Sequence, residues 1–494
     1  MKKSIISIFV AGLATVAGLS SCANFLNVEK IGKSTIESFF SEIGGVTAAG
    51  EGLHKQMMDF YCSSNCLLFF GEAAGNEVRL NTVDAGDDAS YIFNYNLKPE
   101  YIATCIKYIW DNGYVVVTAA NNIIEFGGGF RDNKATESEK AICDKVIGWA
   151  YYARAFAIFG LVNCYGQAYG FTPDASHQGV PSVTRVPGFD DQIPRNTVAE
   201  DYAQIILDLE KAIELLGPQE KITDCTHTST IACEALLAKV YLYMGNWDKA
   251  AEYAAIVMNK VPLTPRDGYV DMFRNPRANL GAESIFRFDS YGHSTTLLSL
   301  YDPTRSHDFE PDPSMLDYFD EDDIRRSLFY YVGEDCEEEG YRGQTFVAAC
   351  KHLPYKSISD PDDKHPYEFV SRCSEMYLIH AEAVAKGSSH DLNSAAKDIK
   401  ALQARAKGVS VTDIDLIWSS QQDIEELIEK ERIRELCFEG HSFFDIKRQC
   451  KDLVRSATSN AQVKNISYPD YRFALPIDEN EMQANDSMVQ NEGY

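Results

Sequence analysis

The sequence predicts an all-α, mostly helical chain: a tetratricopeptide-like scaffold of about four helix pairs that carries long irregular loop insertions. Small and aromatic residues in the unit 232–260 stand at the spacing of a tetratricopeptide repeat. Further segments carry apolar residues at helical period. The long stretches between them lack that period and are rich in Gly, Pro, Asp and aromatic residues, which is typical of functional loops on a rigid frame.

The clearest repeat places its turn at Gly245 and Asn246, between two helices whose small residues allow close approach. Its signature residues are Leu237, Ala238, Tyr241, Gly245, Trp247, Ala250, Ala254 and Val257. A looser copy begins at Tyr377 and resumes near Ala396 after a four-residue insertion. Segments 138–164 and 202–216 are predicted as two more long helices. We interpret Trp149, Tyr152, Phe156 and Trp247 as packing residues of these helices.

The chain therefore divides into helical and irregular parts. We expect the repeat helices within about 104–260 and 368–440, and ligand-facing loops within about 61–100 and 262–367. The triplet Gly127-Gly128-Gly129 lacks the flanking pattern of a phosphate-binding loop and is interpreted as a flexible connection between helices.

The first 21 residues have the pattern of an export signal. Lys2 and Lys3 precede a short apolar run that ends in Leu19-Ser20-Ser21-Cys22, where small residues and a cysteine match a lipoprotein cleavage site. We expect acylation of Cys22 to anchor residues 22–494 to a membrane as a single domain. The alternative is an ordinary secretory signal with an incidental cysteine.

Composition narrows the function classes. A formal net charge of -27 disfavours nucleic acid as a partner, and 45% apolar residues suffice for a large core. The 13 cysteines include no paired zinc spacing, so most are expected to be buried free thiols. No catalytic, metal or cofactor motif was found, so we predict a non-enzyme without a cofactor.

Three glutamates, Glu431, Glu435 and Glu439, recur every four residues and would share one helix face. One interpretation is a pair of glycosidase carboxylates; the favoured one is a buried ion network with Arg432, Arg434 and Arg448 that fixes the last repeat. The acidic run 320–323 lacks the spacing of a calcium loop and is interpreted as a solvated helix start.

Six sequence blocks follow one another over nearly the whole chain. The first is Cys22 with Phe25 and Leu26. The others are WAYYARAFAIFGLVNCYG at 149–166, PSMLDYFDEDDIRRS at 313–327, YLIHAEAVAKG at 377–387, ERIRELCFEGHSFFDIKR at 431–448 and the closing LPIDENEMQANDSMVQNEGY. In these blocks the chain resembles the SusD/RagB family of outer-membrane nutrient-binding lipoproteins. The resemblance implies a surface-exposed, lipid-anchored protein of the outer membrane that captures oligosaccharide. It also implies delivery of that ligand to a SusC-like TonB-dependent transporter.

Capture of sugars requires aromatic faces and planar polar groups, and the resemblance implies that these lie in the loops. The predicted ligand-binding residues are Arg79, Asn81, Tyr91, Tyr95, Tyr291 and Tyr301. All four tryptophans fall on predicted helices or at their edges, so a peptide ligand stays open beside a glycan. Two other functions also stay open: a surface hydrolase that uses Glu431, Glu435 or Asp320, and a repeat adaptor that binds only proteins.

Overall fold

The computed structural model describes residues 35–62, 67–81, 85–98, 104–188, 190–275, 280–289, 301, 307–332, 346–349, 351 and 367–494. Helices dominate this part of the chain. They are α1 Ile36–Phe39, α2 Ile43–Tyr61, α3 Leu67–Ala73, α4 Asp87–Phe93, α5 Thr104–Asn122, α6 Gly128–Asn133, α7 Glu137–Tyr165, α8 Val198–Leu216, α9 Thr230–Met244, α10 Trp247–Lys260, α11 Arg266–Tyr269, α12 Asp271–Arg274, α13 Cys373–Lys386, α14 Leu392–Lys407, α15 Gln421–Leu436, α16 Ser442–Arg448 and α17 Glu479–Ala484.

Nine long helices form the scaffold in the described part of the chain. Helix α2 packs on α5 and α7, α5 on α7, α7 on α8, α8 on α9, α9 on α10 and α10 on α13, and the stack ends with α14 and α15. Eight of the nine lie within the two ranges in which repeat helices were expected, and α2 precedes both ranges. The helical-repeat fold class is thus confirmed.

Local sequence signals fix where these helices begin and end. Thr136, Thr197 and Ser420 each form a capping box that satisfies free amides of the first turn of α7, α8 and α15. The predicted turn between α9 and α10 is confirmed, because Gly245 adopts a left-handed φ of 69° that a β-carbon would strain. Asn246 then caps α10 by accepting a hydrogen bond from the Lys249 amide at 3.4 Å.

Helix α7 is the centre of the core. By length and composition it could span a membrane, but 94% of its most apolar window is buried inside the protein, as in the core helix of a globular fold. Trp149, Tyr152 and Phe156 are buried as predicted, and the Trp149 indole donates to the Thr228 carbonyl at 2.9 Å.

The glycine triplet at 127–129 does not connect two helices, so this prediction was wrong. Helix α5 continues through a π-helical segment, Ile123–Gly127, directly into α6. Both Gly127 and Gly128 have right-handed helical angles. Three glycines in a row have low helix propensity, but packing against α7 holds their backbone helical.

The irregular segments contain more regular structure than their sequence predicts. Within the described residues, four two-stranded antiparallel ladders pair β1 Val78–Leu80 with β3 Phe309–Pro311, β2 Ser284–Asp289 with β6 Tyr367–Arg372, β4 Phe329–Val332 with β5 Phe346–Ala349, and β7 Leu453–Val454 with β8 Asn465–Ile466. The predicted loop 61–100 also holds α3 and α4. These elements are too short for their period to stand out in sequence.

Of the nine cysteines among the described residues, eight are buried. This agrees with the prediction of buried thiols. Burial raises the pKa of the Cys164 thiol to about 12, so this group stays protonated and unreactive near neutral pH.

Candidate ligand-binding surface

The β1–β3 ladder brings the two predicted loop regions together. We call the surface formed here by the described residues of 78–94 and 307–311 the junction surface. Arg79 on β1 lies opposite Glu310 on β3, and its Nε donates to Glu310 Oε2 at 2.7 Å. The side chain of Arg79 keeps 32% of its surface exposed, whereas that of Glu310 keeps 9%. Arg79 is therefore oriented by a buried carboxylate while its side chain stays partly exposed to solvent.

A third segment of the chain closes the same ladder. Asn460 accepts a hydrogen bond from the Leu80 amide at 3.0 Å and donates to the Leu80 carbonyl at 2.7 Å. Asn94 accepts from the Gln462 amide at 2.9 Å, which ties the end of α4 to this segment. Hydrogen bonds from the segment 460–462 thus hold both the ladder and the end of α4, although the junction surface consists of insertions outside the helical scaffold.

Tyr91 lies on α4 next to this ladder and is 36% exposed. The N-terminus of α4 is attached to the ladder region, because Asp308 accepts a hydrogen bond from the Gly86 amide at 2.7 Å. Arg79 and Tyr91 are the predicted ligand-binding residues that the structure describes as partly accessible.

Three other predicted residues are buried in this structure. Asn81 is 3% exposed and donates to the His307 carbonyl at 3.0 Å. The Tyr95 hydroxyl donates to the Ala74 carbonyl at 2.5 Å, and the Tyr301 hydroxyl donates to Glu72 at 2.8 Å. They act here as packing and hydrogen-bonding groups that hold the insertions. Cys22 and Tyr291 lie outside the described residues.

The repeated glutamates form a fully buried ion network, in agreement with the structural interpretation. Glu435 on α15 pairs with Arg325 at 2.9 Å, Arg372 at 2.6 Å and Arg405 at 2.7 Å. Arg325 also pairs with Glu431 at 2.7 Å. The side chains of Glu431 and Glu435 are fully buried, and those of these three arginines are at most 6% exposed, which disfavours a role in attack on a sugar bond.

Two details of that prediction were wrong. Glu439 does not share the helix face, because α15 ends at Leu436 and Phe438 turns the chain with a φ of 63°. Of the predicted arginines, Arg434 contacts Glu431 at 3.2 Å. Arg432 and Arg448 pair instead with Asp445, and Arg448 also with Glu382. The partners that dominate the network come from distant segments that periodicity within one helix cannot identify.

The acidic run 320–323 behaves largely as predicted. Asp320 and Asp322 are exposed, and Asp323 caps a short 3-10 helix by accepting from the Arg325 amide at 2.9 Å. Asp320 pairs with Lys407 at 2.5 Å. Within the described ranges, no group of His, Cys, Asp or Glu side chains has the arrangement of a metal site.

Two clefts lie outside the predicted loops. One, of about 720 Å³, is bounded by α5, residues 181–193 and α17. The other, of about 640 Å³, lies between the chain after α7 and the C-terminal segment, and we call it the C-terminal cleft. Neither cleft was predicted from the sequence, because the walls of each come from segments far apart in the chain. For the C-terminal cleft, the aromatic residues Phe171 and Tyr471 were the available sequence signal.

The fold and the junction surface define a helical-repeat protein that presents a surface built from insertions. The SusD family model matches residues 330–494, and a second model, described as starch-binding associating with outer membrane, matches residues 79–242. The chain belongs to the SusD/RagB family.

Individual relatives agree with this assignment. SusD-like protein P2 of Formosa agariphila is 26% identical over 502 aligned residues that cover 91% of either chain. A SusD superfamily protein from Bacteroides thetaiotaomicron has a TM-score of 0.77 at 22% identity, covering 91% of this chain and 99% of that one. A laminarin-binding SusD-like protein has a TM-score of 0.69 at 20% identity, with 91% and 99% covered.

The ion network predicts acid-sensitive stability. Burial would raise the pKa of Glu439, but Arg372 and Lys351 outweigh it and lower the pKa from 4.5 to about 2. Because the folded state holds this carboxyl ionised, its contribution to stability is present above pH 4.5 and is lost as the pH falls toward 2. We expect Glu439→Gln to be about 3–5 kcal/mol less stable than wild type near pH 7, with a gap that narrows below pH 4.5.

Urea unfolding followed by circular dichroism between pH 7 and pH 3 measures this gap. Glu429→Gln is the matched control, since Glu429 lies on α15 but is exposed and pairs with Lys451 at the surface. A gap between Glu439→Gln and wild type that stays constant down to pH 3 would contradict the prediction.

Proposed function

We propose that this protein captures oligosaccharide at the junction surface, as a lipid-anchored component of the outer membrane, and passes it to a SusC-like TonB-dependent transporter. The observation that carries the proposal is the geometry of Arg79 and Tyr91. A partly exposed ring and a partly exposed arginine side chain, which Glu310 orients, stand on insertions that are tied to the rest of the chain by hydrogen bonds. This arrangement suits recognition of sugar faces and hydroxyls.

The family supports the choice of ligand class. One matching family model is described as starch-binding, and one structural neighbour is described as laminarin-binding. Both ligands are neutral glucans with many hydroxyls, so an oligosaccharide is our first candidate, and a peptide is the alternative. Tyr291, in the same predicted loop as Tyr301, stays a candidate contact.

A non-catalytic role is favoured over hydrolysis. Glu431 and Glu435 are inaccessible and ion-paired, and Asp320 pairs with Lys407. A glycosidase requires two carboxyl groups that flank a bond in an accessible cleft.

The first test is capture without cleavage. Purified protein incubated with laminarin and maltose oligosaccharides should deplete one of them and release no new reducing ends. Arg79→Ala with Tyr91→Ala should weaken binding about tenfold, because about 1.4 kcal/mol of contact energy is lost. Tyr108→Ala is the matched control, since Tyr108 is an equally exposed aromatic residue on α5. New reducing ends would indicate a hydrolase, and depletion of a peptide mixture alone would reassign the ligand.

The second test concerns the anchor and the partner. Wild-type protein should sediment with the outer-membrane fraction and retain a TonB-dependent barrel protein after detergent extraction. Cys22→Ser lacks the thiol that carries the lipid and should leave that fraction. Outer-membrane retention of Cys22→Ser contradicts the lipid anchor, and wild-type protein without a barrel partner favours the adaptor function.

A further inference from the structure

The C-terminal cleft has the size and composition of a ligand site. Its walls are residues 167–178, which follow α7, and the C-terminal segments 469–474 and 490–493. Its volume of about 640 Å³ is within the range of about 300–1,000 Å³ that is common for small-molecule sites. No residue of its wall belongs to the junction surface at 78–94 or 307–311.

Exposed aromatic side chains converge on this cleft. In the described part of the chain, the aromatic residues among the exposed large apolar side chains are Phe39, Tyr91, Tyr108, Phe171 and Tyr471. Two of them, Phe171 at 39% and Tyr471 at 43% exposure, line the C-terminal cleft. Aromatic rings left in water at a concave surface mark a binding site more often than isolated exposed residues do.

Both rings are held in place by neighbours. The Phe171 ring lies 5.1 Å from the His177 ring, and the Tyr471 ring lies 5.1 Å from the Tyr494 ring, each edge to face. Gly493 has a φ of 93°, and a β-carbon there would lie 2.4 Å from Tyr471 Cγ. The C-terminal glycine thus permits the close approach that fixes Tyr471, and the rings are preorganised for a ligand.

The polar groups of the cleft wall are ready to bind hydroxyls. Gln167 donates from Nε2 to the Asp470 carbonyl at 3.0 Å, while its buried Oε1 has no hydrogen-bond partner among the described residues. The side chains of Gln178 and Glu492 are exposed and make no hydrogen bond to any described residue. Because the Gln167 oxygen is buried, a ligand hydroxyl would reach it only if this side chain turned toward the cleft, whereas the side chains of Gln178 and Glu492 already face solvent.

The charge of the wall selects against anionic ligands. It contains the carboxylates of Asp470 and Glu492 and no Lys or Arg side chain. Burial lowers the pKa of His177, which keeps its ring neutral near pH 7. Arg472 pairs with Asp470 at 2.8 Å and offsets that carboxylate, so a sulfated or uronic glycan would meet the carboxylate of Glu492 and no unpaired cation of the described wall. A neutral sugar would meet apolar faces and hydrogen-bond acceptors.

We propose that the C-terminal cleft is a second carbohydrate-binding site, which takes a neutral oligosaccharide between Phe171 and Tyr471. This inference rests on the proposed capture of glycans and adds a site remote from the junction surface. Two sites on one rigid molecule would hold a long glycan more tightly than either site alone.

The test separates the two sites by location. Hydrogen exchange of the full mature protein is measured with laminarihexaose and with maltohexaose, and affinities are measured by calorimetry. In the Arg79→Ala, Tyr91→Ala background, we expect residual binding that protects amides at 167–178 and 469–474. Adding Phe171→Ala should weaken this residual binding about fivefold, the effect of one lost aromatic contact, whereas adding Tyr108→Ala should not. Gln167→Ala supplies a second variant that leaves both rings in place.

Four other results would overturn the inference, and each shows which part of the proposal is wrong. Protection confined to 78–81 and 307–311 leaves glycan capture intact and removes the second site. Failure of wild-type protein to bind either hexasaccharide contradicts glucan capture and this inference together. Tighter binding of sulfated laminarin than of laminarin contradicts the neutral ligand class. Normal sugar binding by the Phe171→Ala variant with loss of the barrel partner identifies the cleft as a protein interface instead.

Discussion

The ion pairs of Glu435 are the interaction on which the described structure most depends. This carboxylate sits in the last turn of α15 and joins Arg325 of an insertion, Arg372 at the end of β6 and Arg405 of α14. Burial would raise the pKa of Glu435, but Arg405, Arg372 and Arg325 reverse this and hold the pKa well below its ordinary value. Removing one member would leave buried charge uncompensated, at a cost of about 3–5 kcal/mol.

The surrounding charges balance, which makes such burial tolerable. The carboxylates are Asp323, Glu283, Glu431, Glu435 and Glu439, and the cations are Arg325, Lys351, Arg372, Arg405 and Arg434. The insertions and the scaffold each contribute both carboxylates and cations to this network. The distribution of these charges between the two parts therefore matters more for their attachment than the number of charges. The network therefore ties the insertions to the helical stack instead of stabilising one element alone.

The same region leads to the junction surface. After α15 ends, the Phe438 amide donates to Glu77 at 3.2 Å, and the Gly440 amide donates to Glu72. These two glutamates belong to the segment that runs through α3 into β1, where Arg79 lies. Polar contacts thus attach the end of α15 to the segment that precedes β1, and the backbone of that segment leads to Arg79.

The sequence allowed prediction of the features that depend on local pattern. The apolar face of α8 follows from the helical period of its apolar residues, and the left-handed turn at Gly245 follows from the preference of glycine for that conformation. The burial of Trp149 follows from the size of its side chain. The burial of Tyr301 and the walls of the C-terminal cleft could not be predicted, because both depend on segments far apart in sequence. Aromatic residues in a loop satisfy packing and ligand binding equally well until their neighbours are known.

Amide hydrogen exchange of Glu435→Gln against wild type tests whether buried charge holds the insertions on the scaffold. We expect faster exchange in β1, β2 and β6, with unchanged exchange in α7 and α8, because only the insertions lose their attachment. Glu429→Gln, on the same helix but at the surface, should match wild type throughout. Equal acceleration across α7, α8 and the strands, or no acceleration in the strands, would contradict the account.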